Sequence, residues 1–91
     1  MGFILESLKA LKRVVTGEVI EQTDTTANGG WTTMSLRLKR GRGSDDFYVV
    51  LAAISRVNYQ YFAFTRDEFG RFAQAVQLIR GSLVHTGQPE I

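Results

Sequence analysis

Cysteine is absent from the 91-residue chain, and proline and histidine occur once each. Without thiols there can be no disulfide, no thiolate metal site and no cysteine nucleophile. A single histidine, His85, removes the raw material for histidine-clustered metal sites and for most histidine-dependent acid–base schemes. No apolar run approaches the roughly 18 residues that a membrane-crossing helix needs. What is present is 44% hydrophobic and 11% aromatic residues, too many for a disordered chain. At this length they suffice for one core and not two. The reading is a single domain over residues 1–91 with no cofactor and no metal.

The N-terminal Met1-Gly2-Phe3-Ile4-Leu5-Glu6 is similar to a myristoylation start, but Glu6 stands where serine or threonine is wanted. Its short apolar run, closed by Glu6, does not make a signal peptide. A cytoplasmic protein without membrane contact is the expectation.

Positive charge is concentrated rather than abundant. Arg37, Lys39, Arg40 and Arg42 put +4 within six positions, while the whole chain carries only +2. The rest of the chain is therefore mildly acidic, and Asp45 and Asp46 follow the patch closely. Such a patch suits a polyanion better than a neutral small molecule. It equally suits a solvated hairpin tip.

Periodicity gives the order α-β-β-β-β-α. Ile4, Leu8, Leu11 and Val15 recur at helical spacing, predicting an amphipathic helix over 1–13. Residues 14–22 read as a first strand interrupted by Gly17, and 23–30, ending Asn28-Gly29-Gly30, as a turn. Residues 31–39 alternate cleanly: Met34, Leu36 and Leu38 face one way, Trp31, Thr33, Ser35, Arg37 and Lys39 the other. Two further strands fit between Phe47 and Thr65. With Arg56-Val57 as the loop, Leu51 opposes Phe62 and Val49 opposes Phe64. Tyr48, Val50, Ala52, Ile54, Tyr59, Tyr61 and Ala63 then share the opposite face. Thr65-Arg66-Asp67-Glu68 reads as a capping box, with Phe64 and Phe69 as a hydrophobic staple. A helix over 66–80, stopped at Gly81, and a loose tail over 82–91 complete the chain. The fold class is α+β: a short N-terminal helix, a four-stranded antiparallel meander, and a C-terminal helix packed on one face, the strands and that helix occupying 14–80.

Catalysis finds little support. His85 falls in the predicted tail, Asp67/Glu68 belong to the helix cap, and Asp45/Asp46 solvate a strand start. Gly41-Arg42-Gly43 precedes a strand, whereas a phosphate-cradling glycine loop opens a helix. The chain does not read as an enzyme.

The face opposite the leucines is more informative. It carries Trp31, Tyr48, Tyr59 and Tyr61 interleaved with Arg37, Lys39 and Arg56. Aromatic rings on a sheet can stack with unpaired bases while Lys and Arg meet phosphates. Val50, Ala52 and Ile54 on that face demand a cover instead, from the N-terminal helix or from a second copy. Four meandering strands, a basic second strand (Leu36-Arg37-Leu38-Lys39-Arg40) and a capped helix after the fourth resemble, in element order, the PUR-repeat and Whirly-type domains. That resemblance implies sheets that bind single-stranded DNA or RNA and units that pair. The expected function is single-stranded nucleic-acid binding as a homodimer. Arg37, Lys39, Arg40 and Arg42, with Arg56, would meet phosphates, and Trp31, Tyr59 and Tyr61 would stack bases. The alternative is a protein-interaction or assembly module whose apolar sheet face is an interface.

Overall fold

The computed structural model describes residues 12–43 and 45–86. It is an α+β fold: a short N-terminal helix, an antiparallel sheet and a C-terminal helix. The strands are β1 (Glu18–Ala27), β2 (Thr32–Arg40), β3 (Phe47–Ile54) and β4 (Tyr59–Phe64), paired in chain order. The helix α1 spans Arg66–His85. Residues 12–15 are helical, and the part of the predicted N-terminal helix before residue 12 lies outside the described residues.

The expected register holds. Val49 pairs with Phe64, Leu51 with Phe62, and Ile54 with Tyr59. Arg56-Val57 is the loop, closed by the Ser55 amide donating to the Asn58 carbonyl at 2.9 Å. Met34, Leu36 and Leu38 pair with Ala53, Leu51 and Val49, so the side chains of these rows share the helix side of the sheet. On the far side lie Ser35, Arg37 and Lys39 with Tyr48, Val50, Ala52, Tyr59 and Tyr61.

Three boundaries differ from expectation. The first strand starts at Glu18, not at 14, because Gly17 adopts φ +82° and ends the preceding helical turn in the left-handed conformation. It also runs on to Ala27, and a bulge between Val19 and Glu21 transfers the alternation to odd-numbered residues. The C-terminal helix passes through Gly81 to His85. A glycine stops a helix by going left-handed, and Gly81 is absent from the positive-φ residues. The tail reading is thus wrong for 82–85, and residues 87–91 lie outside the described residues.

The helix begins as its sequence dictates. Thr65 Oγ1 accepts from the Glu68 amide at 3.2 Å, and Glu68 Oε1 accepts from the Thr65 amide at 2.8 Å. Phe64 stacks on Phe72 with centroids 5.1 Å apart and meets Phe69 edge-on at 6.0 Å. These rings fasten the first two turns to the sheet. Thr65→Ala should cost about 1 kcal/mol, the usual value of such a cap. The Thr65 amide holds the Glu68 carboxyl below its ordinary 4.5. Its contribution is therefore complete above that value and fades as pH falls through the depressed one. Thermal melts between pH 7 and pH 3 should show Glu68→Gln losing less stability on acidification than the parent.

The far side of the sheet is closed at one end by the chain entering β1. Lys39 Nζ donates to the Arg13 and Val14 carbonyls at 3.1 and 2.9 Å, serving the carbonyl end of the N-terminal helix. Tyr48 Oη donates to the Thr16 carbonyl at 3.1 Å, and the Arg13 guanidinium stands 5.8 Å from the Tyr48 ring centre. Tyr48, Val50, Ala52, Ser35 and Lys39 are all buried. The buried residues thus lie mainly on this side, with residues 13–16 closing its Lys39–Tyr48 end.

Candidate nucleic-acid interface

The β1–β2 and β3–β4 turns lie at the same end of the sheet. Asn28, Gly29 and Gly30 all have positive φ, at 54°, 65° and 94°, so the chain reverses tightly before Trp31. Trp31 is 69% exposed, and Tyr59 is 64% exposed. The Arg56 guanidinium carbon lies 5.8 Å from the Trp31 ring centre, a cation–π geometry that orients both groups. Gly29, Gly30, Trp31 and Arg56 line an open hollow of about 350 Å³. Tyr61, two residues along β4, is exposed on the same side. Of the eight expected site residues, Trp31 and Arg56 meet, and Tyr59 and Tyr61 are exposed two strands away.

The basic residues do not join them. Lys39 is 5% exposed, and its ammonium is committed to two backbone carbonyls, so it cannot present charge to a phosphate. Burial, and then the neighbouring Arg37 charge, push its pKa below the usual lysine value. Arg37 is half-buried, and its Nε donates to Ser35 Oγ at 3.3 Å. Arg40 falls on the helix side of the sheet and pairs with Glu18 at 3.0 Å. Arg42 is exposed in the β2–β3 turn. That turn is roughly 25 Å from Trp31, at about 3.3 Å per strand residue.

Sequence periodicity missed what surrounds Arg42. Lys12 and Arg13 arrive there from the N-terminal helix, and with Thr16, Gly41, Arg42, Asp46 and Tyr48 they line a hollow of about 460 Å³. Only the signal of a helix returning over the sheet could have brought residues some thirty positions apart together. The far side thus has an aromatic–arginine end and a cationic end. Among the described residues, no group of His, Cys, Asp or Glu could hold a metal ion. No described helix is long and apolar enough to cross a membrane. No protein-family model, curated protein or solved structure matches the chain.

Proposed function

We propose that the chain binds single-stranded DNA or RNA, as a homodimer, with unpaired bases stacking at Trp31, Tyr59 and Tyr61. The observation that carries this reading is Arg56 held over the exposed Trp31 ring, with Tyr59 and Tyr61 exposed on the far side of the same sheet. Flat rings accept any base, and a guanidinium beside them meets the adjoining phosphate. Arg42, Lys12 and Arg13 supply a second phosphate contact region. A separation of roughly 25 Å between the two ends suits an extended strand rather than a mononucleotide.

Trp31 is the sole tryptophan, so its fluorescence reports on the stacking position directly. Titration with a pyrimidine oligonucleotide at low salt should quench it. Trp31→Ala, followed by anisotropy of a labelled oligonucleotide, should weaken binding roughly 5- to 150-fold, the equivalent of one stacked base. Arg42→Ala should flatten the dependence of log affinity on log salt by about 0.7, one phosphate contact to a single strand. Absence of binding at low salt would overturn the reading.

A second reading, an assembly module with no nucleic-acid ligand, is favoured by the apolar surface of α1. Val76, Leu78, Ile79, Leu83 and Val84 are all exposed on it. A stable dimer that ignores every oligonucleotide would select it.

A further inference from the structure

We infer that two copies of this chain join edge to edge through β4, with their α1 helices packed against each other over the join. The inference concerns the homodimer of the reading above and not its nucleic-acid site, so the two can fail separately.

Two observations converge on one surface. First, the two edges of the open sheet differ in kind. The β1 edge carries Glu18, Glu21 and Asp24 and a bulge, features that discourage strand addition. The β4 edge, Tyr-Gln-Tyr-Phe-Ala-Phe over 59–64, has no charge, no proline and no bulge. Its outward backbone groups form a ready template for another strand.

Second, α1 has a helix-pairing seam whose C-terminal half the other described residues leave exposed. Phe69, Phe72, Val76, Ile79 and Leu83 are spaced 3, 4, 3 and 4 residues apart, the repeat of a two-helix seam. Phe69 and Phe72 meet Phe64 on the sheet. Ile79, by contrast, is 71% exposed, and α1 touches only β3 and β4 among the described strands. From Phe72 to Ile79 the helix carries no charge, unlike a helix face built for water. Small residues, Ala73, Ala75 and Ser82, flank the seam and allow close approach. A helical stretch of this length is marginal in water without packing.

A second copy fits both surfaces at once. A two-fold axis perpendicular to the sheet, between two antiparallel β4 edges, places both helices on the same side. Phe62, exposed on the helix side of β4, and the α1 seam of each copy then face their counterparts. Such a pairing is self-complementary and closes at two.

Sedimentation equilibrium of the full chain should give twice the 10.2 kDa chain mass. Ile79→Glu on the helix and Phe62→Lys on the edge strand should each weaken association at least roughly 30-fold. Ile20→Lys on the β1 edge should leave the mass unchanged. Far-UV circular dichroism of each variant shows that the sheet persists, and either dissociating variant alone suffices. A monomer at the highest soluble concentration overturns the proposal, as does a trimer, or a dimer indifferent to both substitutions. Oligonucleotide binding by a strict monomer would sink this interface while leaving the stacking site standing.

Discussion

Gly17→Ala is expected to destabilise the protein by about 3 kcal/mol, from two sources. At φ +82° an L-residue meets the left-handed penalty of about 1–2 kcal/mol. A Cβ at this position would also strike Tyr48 Oη and lie 3.0 Å from the Arg40 carbonyl oxygen. Tyr48 is buried and cannot swing aside, so the Tyr48–Thr16 hydrogen bond is sacrificed, worth about 1 kcal/mol. Tyr48→Phe alone should cost about that amount. In the double variant the offending oxygen is gone, so the loss should be about 1 kcal/mol less than the sum of the two single losses. Urea midpoints at one fixed protein concentration measure all three. Additive losses would mean that the contact is irrelevant and backbone strain alone is at work.

The same glycine marks where the sequence could and could not be read. Alternation in 31–39 and 47–64 fixed which side chains share a face, because a slip of one residue would have put Phe62 and Phe64 opposite Leu51 and Val49 on the wrong side. The capping box at Thr65 was legible because its chemistry is local. Gly17 and Gly81 were misjudged because a glycine announces permission and not conformation. One took the left-handed region under Tyr48, and the other stayed helical. The candidate site divided along the same line. Trp31 and Arg56 met because two turns at one sheet end follow from antiparallel order. Lys39 left the site because its partners, the Arg13 and Val14 carbonyls, lie 26 and 25 residues away. No pattern within β2 signals that a helix end will return to it.

Lys39 is accordingly expected to behave as a structural residue. Its stem lies against Tyr48, with the ammonium 5.9 Å from the ring centre, and its charge serves the helix carbonyls. Lys39→Met keeps the stem and removes the donor, leaving two carbonyls without it, for a loss of about 1–2 kcal/mol. Lys39→Ala also removes about three methylenes of buried stem and should cost about 2 kcal/mol more. The pH response separates this role from a phosphate contact. Because burial lowers the lysine pKa in the folded state, the unfolded chain holds more protons between that depressed value and the ordinary 10.5. Stability therefore rises with pH across that window. The advantage of the parent over Lys39→Met should grow from neutral pH toward 10.5, where a neutral amine still donates to both carbonyls. Affinity for an oligonucleotide, corrected for the folded fraction, should be the same in parent and Lys39→Met. A flat pH difference, or a weakened salt dependence of binding in Lys39→Met, would return Lys39 to the ligand surface.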